Sequence, residues 1–225
     1  MLLARLDIAP VTAVLKHPRT GADVEVMLRR DAVAEIVRVA LYTPQDAARL
    51  LPVIRRALDG DFGPLAAQAV HSASFSEDMA LGATMAILCS EDLPASAPGD
   101  IERLARGTFL GSAYAQAWRE RCSGWPAGPP IRIDRGAIST APALILSGLN
   151  DPVTPPSSGE AMARHFPNHQ QVIVPGAAHN ASFAGCAPEL IARFLQREGT
   201  VPLDTGCLAG APLPPLVLDH SGGRS

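Results

Sequence analysis

APALILSGLNDPVTPP, residues 141–156, holds the feature that decides the fold: a continuous apolar run, ALILSG, that ends in a turn-forming loop. Such a run is typical of a strand buried on both faces. Residues 156–166, PSSGEAMARHF, are amphipathic as in a helix, and residues 169–182, HQQVIVPGAAHNAS, repeat the strand and the loop. A strand, a helix and a strand in this order predict right-handed winding and a parallel sheet, and therefore an α/β fold.

Each predicted strand is followed by a loop that carries one titratable side chain, Asp151 after the first and His179 after the second. Taken alone, Asp151 also fits a turn-forming residue in an Asn-Asp-Pro loop, and a lone loop histidine is usually a surface group. The two together favour a functional role, because the carboxyl ends of consecutive parallel strands meet at one edge of the sheet. We expect the carboxylate to accept the Nδ1 proton of the histidine, which then takes up and returns a proton near neutral pH.

A nucleophile to accompany this acid and base is not evident. The strained G-x-S-x-G turn between strand and helix does not occur anywhere from Met1 to Ser225. Ser90, Ser112, Ser147 and Ser182 all lack flanking glycines in that arrangement. We therefore expect the nucleophile to be encoded elsewhere or lost, and this polypeptide to be inactive by itself.

The N-terminal part has a different pattern. Residues 11–28 show two β-rich stretches around Pro18 and Gly21, which predicts a hairpin, and residues 31 to about 120 are almost wholly helical in pattern. The Gly- and Pro-rich segment that begins at Cys122 breaks this run. We expect a cap region over residues 1–125, an α/β portion over 126–208, and a tail over 209–225 that is disordered in part.

Composition excludes several classes of protein. A net charge of -3 without a basic block gives no reason to expect nucleic acid as a partner, and no apolar run approaches the roughly 20 residues of a membrane span. Arg5 and Asp7 come too early for a signal-peptide core, so the first residues resemble the end of a helix that began upstream and Met1 is not the expected natural start. The histidines and carboxylates show no metal-ligand spacing, and we expect neither metal nor cofactor.

Four cysteines are widely spaced and include no C-x-x-C pair: Cys89, Cys122, Cys186 and Cys207. Zinc binding is disfavoured by that spacing. Counting alone leaves two alternatives open, either two disulfides in an oxidising compartment or four free thiols in a cytosolic protein.

At these residues the sequence resembles a known family. Residues 142–156 (PALILSGLNDPVTPP), 172–195 (VIVPGAAHNASFAGCAPELIARFL) and 203–208 (LDTGCL) look like the C-terminal region of the tripeptidyl aminopeptidase-like group of α/β-hydrolases. Residues 2–21 (LLARLDIAPVTAVLKHPRTG), 88–94 (LCSEDLP) and 122–130 (CSGWPAGPP) resemble the cap of the same group. The resemblance implies the C-terminal part of an α/β-hydrolase fold with a mostly helical cap.

The resemblance also implies a function. Such enzymes are serine exopeptidases, usually exported, that remove short peptides or proline-containing units from N-termini, and Asp151 and His179 match their acid and base. Cys186 with Cys207 and Cys89 with Cys122 look like their disulfides. About half of such an enzyme, including the nucleophile, precedes the cap, so the implied partners are a peptide substrate with a free N-terminus and a polypeptide that supplies this half.

Two acidic residues in the predicted cap, Glu91 and Asp92, follow a helical stretch. If they line the cleft, they bind the ammonium group of a peptide N-terminus, whereas a solvated helix end is the alternative.

Two other functions of the protein fit the sequence as well. One is a non-catalytic remnant that acts as an interaction module, and the other is an esterase of the same fold.

Overall fold

The computed structural model describes residues 2–77, 80–97, 99–126, 136–196, 202–210 and 212–218, with the side chains of residues 74–77 outside the description. The chain divides into two compact units. The first unit comprises Met1–Val39 and Val53–Ile133, and the second comprises Ala40–Pro52 and Asp134–Ser225. Residues 127–135, which follow the predicted boundary between cap and α/β portion, lie outside the described residues, so that boundary stays a prediction.

The first unit contains a hairpin and helices. Strands β1 (Val11–Lys16) and β2 (Asp23–Leu28) pair antiparallel in the register Val11↔Leu28 to Lys16↔Asp23. Gly21 has a φ of 70° in the connecting turn, a conformation that glycine adopts without strain. The helices are α1 (Leu2–Ile8), α2 (Arg30–Ala40), α4 (Gly63–Glu77), α5 (Leu81–Ile87), α6 (Leu93–Ala95), α7 (Asp100–Ala105) and α8 (Ala113–Cys122), and α3 (Pro44–Leu58) has residues in both units.

The core of the first unit forms because the hairpin and the helices each have one apolar face. Every second residue of β1 is half-buried, and α2 buries Val33 and Ile36 at helical spacing. These side chains pack with Leu6, Leu28 and Leu65, all of which are fully buried. A disulfide between Cys89 and Cys122 links a π-helical turn (Leu88–Asp92) to the end of α8.

The second unit contains the predicted strand, helix and strand. Strand β3 (Ala143–Gly148) is followed by α9 (Pro156–Ala163) and by β4 (His169–Val174), which pairs parallel to β3 in the register Ala143↔His169 to Gly148↔Val174. The parallel pairing is confirmed. Burial of β3 on both faces is wrong for the described residues, because Ala143 to Leu146 are only half-buried.

The C-terminal part of the second unit closes over β4. Helix α10 (Ala187–Gln196) buries Leu190 against Val172 and Val174, and Leu203 and Leu208 complete this core. The amide of Gln170 donates to the carbonyl of Leu203 at 2.9 Å and accepts from its N–H at 2.7 Å. A second disulfide, Cys186–Cys207, joins the residue before α10 to a short 3₁₀ turn (Gly206–Leu208).

Part of the predicted tail is in contact with α3. In the described stretch 212–218, the N–H of Val217 donates to the carbonyl of Ala48 at 3.0 Å. The remaining tail residues from 219 onward lie outside the described residues. Within the described part of the chain, the helices fall short of the length and apolar character that membrane crossing requires.

We expect Gly148→Ala to destabilise the second unit. A Cβ at this position would lie 2.0 Å from the carbonyl oxygen of Ala178, which is backbone and cannot rotate away. The expected loss is about 3 kcal/mol in the free energy of unfolding, measured by urea denaturation. Gly210→Ala is the matched control, since a Cβ there meets nothing within 4 Å. Equal stability of the two variants would contradict the close backbone packing.

Candidate functional site

The Asp151 side chain is fixed by the turn that follows β3. Its Oδ1 accepts the backbone N–H of Val153 at 2.8 Å and of Thr154 at 2.9 Å, and its Oδ2 accepts the Thr154 hydroxyl at 2.9 Å. An aspartate that accepts N–H groups two and three residues ahead is typical of a turn that begins with this residue. The residue is only 8% exposed, so a buried carboxylate stands at the end of the strand with its orientation set by three donors.

His179 lies on the loop after β4 and faces this carboxylate. Its Nδ1 is 3.0 Å from Oδ2 and 3.2 Å from Oδ1 of Asp151. The contact that the sequence predicts between these two side chains is therefore present. Their catalytic role stays a prediction.

Backbone hydrogen bonds hold the two loops together. The N–H of Leu149 donates to the carbonyl of Val174 at 3.0 Å, and the N–H of Asn150 donates to the carbonyl of Ala177 at 3.0 Å. These bonds extend the β3–β4 pairing beyond the strand ends. The separation of the acid and the histidine is consequently set by main chain rather than by flexible side chains.

The electrostatics keep Asp151 ionised at neutral pH. Burial acts to raise the pKa of this carboxyl, but hydrogen bonds from the backbone of Thr154 and Val153 and from the side chains of His179 and Thr154 act in the opposite direction and prevail. The net effect lowers its pKa below the ordinary aspartate value. An ionised carboxylate only accepts hydrogen bonds, so Nδ1 of His179 carries a proton, and in the neutral imidazole the lone pair is then on Nε2.

The imidazole of His179 is partly exposed, and its outer nitrogen is Nε2. The His179 side chain is 29% exposed, and within the ranges that the structure describes nothing hydrogen-bonds to Nε2. An imidazole with Nδ1 held by a carboxylate and Nε2 open can remove a proton from a hydroxyl group and later return it. The arrangement can therefore perform general base and general acid chemistry.

The other predicted site residues lie in the first unit. Glu91 and Asp92 are in the π-helical turn Leu88–Asp92, where Glu91 is half-buried and Asp92 is exposed. Single π-helical turns occur frequently at functional sites. Cys89 in the same turn forms the disulfide with Cys122. Ammonium binding by the two acids stays a prediction.

Ser147 is buried within β3, only 4% exposed, and its hydroxyl accepts a hydrogen bond from the amide of Gln171 at 3.4 Å, which is not the setting of an accessible nucleophile. The loop between β4 and α10, residues 175–186, carries His179 and is called the histidine loop. Ser182 lies in a 3₁₀ turn of this loop, Ala181–Phe183. No group of three or more histidine, cysteine or acidic side chains suited to a metal ion is found among the residues whose placement is described.

Two residues of the site were missed by sequence reasoning. Thr154 binds the carboxylate with both its N–H and its hydroxyl, and the spacing Asp-x-x-Thr in a turn was the available signal. Tyr42 contacts His179 with its ring and its carbonyl group. No sequence signal reveals Tyr42, which is 137 residues away along the chain.

An apolar cavity of about 220 Å³ opens in the second unit. Its lining includes Leu41, Ala48 and Leu213, together with Asn150 and Ala178 from the two loops that carry the pair. Asn150 is the one polar residue among those that line it. The cavity is suited to an apolar group.

Part of the chain matches a family of known proteins. Residues 108–207 match the family model described as TAP-like protein. No match is found among curated proteins or among solved structures. The matched range contains Asp151 and His179, and it contains both cysteines of the Cys186–Cys207 disulfide.

The lowered pKa of Asp151 predicts a pH dependence of stability. Above the ordinary aspartate pKa of about 3.9, which holds in the unfolded chain, this carboxylate makes its full contribution to the free energy of unfolding. The contribution is lost as the pH falls from there through the lowered pKa of Asp151 in the folded protein. Asp151→Asn keeps an acceptor for both backbone N–H groups but does not titrate. Between about pH 5 and about pH 3, wild type should lose more of its unfolding free energy than this variant in urea titrations.

Glu160→Gln serves as the control, because it removes an exposed carboxylate of the same unit. It should lose stability with falling pH as wild type does. A wild-type profile that coincides with that of Asp151→Asn would show that the buried carboxylate is not coupled to folding.

Proposed function

Because residues 108–207 are a TAP-like region of the α/β-hydrolase type, we propose that the Asp151–His179 pair is the acid and base of a serine hydrolase. The fold class predicted from the sequence, the C-terminal part of an α/β-hydrolase with a helical cap, is confirmed. The observation that carries the proposal is the hydrogen bond between Nδ1 of His179 and the buried carboxylate, at the ends of two neighbouring parallel strands.

The proposed reaction is acyl transfer to water through a covalent intermediate. Nε2 of His179 removes the proton of a serine hydroxyl as that oxygen attacks the carbonyl carbon of the substrate. The imidazolium ion is stabilised by Asp151 and gives its proton to the leaving amine. Water then attacks the acyl group by the same steps, which releases the acid product and restores the serine.

The nucleophile of this reaction is proposed to lie on a segment outside these 225 residues. The absence of a G-x-S-x-G turn supports this, and so does the partial exposure of the apolar residues of β3. A parallel strand of the α/β type normally has neighbours on both sides and helices over both faces. Another segment of sheet would cover β3 and bring the serine to His179.

The proposed substrate is a peptide with a free N-terminus. Glu91 and Asp92 are the candidates to bind its ammonium group, and the apolar cavity is a candidate pocket for one of its side chains. Export of the protein is proposed as well. Two disulfides support it, because such bonds persist in oxidising compartments.

The catalytic roles can be tested in a hydrolase assembled from this chain and a segment that carries the nucleophile elbow. We expect Asp151→Asn to lower kcat for a peptide anilide by about 10⁴-fold, because the asparagine amide donates to Nδ1 and forces the proton onto Nε2. His179→Ala should lower kcat at least as much, since the base is removed. Continuous release of the anilide measures both.

Ser182→Ala is the matched control on the histidine loop and should keep full activity.

Labelling by a fluorophosphonate shows whether the nucleophilic serine lies within the 225 residues or outside them. The 225-residue chain alone should not react, whereas the assembled hydrolase should be labelled at one serine outside these residues. Labelling of a serine within the chain, or unchanged turnover by His179→Ala, would contradict the proposed roles.

The proposed ammonium site predicts a difference between two substrates. The double variant Glu91→Gln, Asp92→Asn should raise KM about 10-fold for a peptide with a free N-terminus, because it loses charge-assisted hydrogen bonds. The acetylated form of the same peptide should be cleaved by wild type and variant with equal KM. Asp59→Asn removes an exposed charge elsewhere in the first unit and should change neither value. An equal rise in KM for both peptides would mean that the two acids stabilise the fold and do not bind the ammonium group.

A further inference from the structure

Tyr42 contacts His179 in two independent ways. The backbone N–H of His179 donates to the Tyr42 carbonyl at 3.0 Å. The phenol and imidazole rings lie 5.1 Å apart between centroids, with their planes inclined by 50°. Both residues belong to the second unit, because the segment Ala40–Pro52 is part of it. The same residue therefore contacts both the main chain and the side chain of the histidine.

The position of Tyr42 is set by the capped start of α3. The Thr43 hydroxyl accepts the N–H of Asp46 at 3.1 Å and donates to the Asp46 carboxylate at 2.7 Å. Pro44 occupies the first helical position, and the first helical bond runs from Ala47 N–H to the Thr43 carbonyl at 3.1 Å. Proline at this position and threonine as cap are favoured at a helix start. Tyr42 directly precedes a rigid element.

The histidine loop needs contacts from outside itself. Its residues before His179 are small, Gly176, Ala177 and Ala178, and although both alanines are buried, each contributes only one methyl group to the packing. Asn180, directly after the histidine, has a φ of 63° and a ψ of 48°, and it is the one non-glycine residue with positive φ in the described ranges. Residues other than glycine adopt this left-handed conformation at a cost that the surrounding structure must offset.

The hydrogen bond to Asp151 alone does not fix the imidazole plane. Both carboxylate oxygens lie near Nδ1, at 3.0 and 3.2 Å, so the ring can turn about this contact while the bond persists. Turning would move Nε2, which lies on the opposite side of the ring. An aromatic ring packed against the imidazole removes this freedom, and its π-face also attracts the ring once it becomes a cation.

We propose that Tyr42 is a positioning residue for the base: its carbonyl holds the main chain of His179, and its ring holds the imidazole plane so that Nε2 keeps one direction. The significance of this role for turnover rests on the proposed function. The geometric role itself does not, because ring order and hydrogen bonding in the pair are measurable without a nucleophile or a substrate.

The test uses the complete 225-residue chain with ¹⁵N-labelled histidine. In wild type we expect a downfield Nδ1 proton resonance from His179, protected from exchange by Asp151. Tyr42→Leu keeps the backbone carbonyl and apolar bulk but removes the aromatic face, and should exchange this proton about 10-fold faster with water. Tyr42→Ala should show at least the same change, and Tyr42→Phe should restore the wild-type rate.

Tyr114→Ala is the matched control, since it removes a tyrosine of the first unit that packs against Arg38. It should leave the resonance unchanged. The thermal midpoint and the amide spectrum of each variant establish that it is folded. Wild-type exchange in a folded Tyr42→Leu chain would overturn the proposal. Loss of the resonance in Tyr42→Phe would also overturn it, because the hydroxyl group would then be the part that acts.

A second readout uses the assembled hydrolase and keeps this proposal distinct from the proposed function. Tyr42→Leu should lower kcat with KM unchanged, because the orientation of the base is altered but the substrate contacts are not. Faster proton exchange in an assembly that shows no hydrolysis would uphold the positioning role and reject the hydrolase. Hydrolysis together with unchanged exchange would reject the role of Tyr42 alone.

Discussion

The close approach of two main-chain segments determines the architecture of the site. Strand β3 ends at Gly148, where the absence of a side chain lets the Ala178 carbonyl oxygen lie only 2.0 Å from the point that a Cβ would occupy. Two hydrogen bonds, from Leu149 to Val174 and from Asn150 to Ala177, continue the pairing into the loops. Asp151 follows the second of these bonds by one residue and His179 follows it by two. Their distance is thus a consequence of strand pairing, which is much stiffer than the rotation of side chains.

The environment of the carboxylate explains why a buried charge is tolerated there. Asp151 loses most of its hydration, yet each of its oxygens has donors fixed by the turn that the residue itself begins. The charge is consequently stabilised before the histidine is considered, and the Nδ1 contact adds to an environment that is already polar. Because the turn already stabilises its charge, Asp151 stays an anion that orients the imidazole and does not compete with it for a proton.

The sequence predicted the pair because its signals were local. Continuous apolar runs with a helix between them require a parallel arrangement, and in a parallel arrangement both loops must leave from the same edge. Thr154 had a weaker local signal. Tyr42 had none, because its contact depends on how a helix start from early in the chain packs beside the later strands. The partial burial of β3 was likewise not predictable, since an apolar run indicates what a strand can bury and not which elements cover it.

The disulfide of the second unit anchors the C-terminal end of the histidine loop. The loop leaves β4 at Val174, and Cys186, only seven residues after His179, is bonded to Cys207. That bond attaches the start of α10 to the turn that carries Leu208 of the core, while Gln170 attaches Leu203 to β4. Both ends of a loop with small side chains and a left-handed asparagine are therefore anchored to one core. Reduction of this bond would release one anchor without touching the acid or the base, so an oxidising environment supports the geometry of the pair directly.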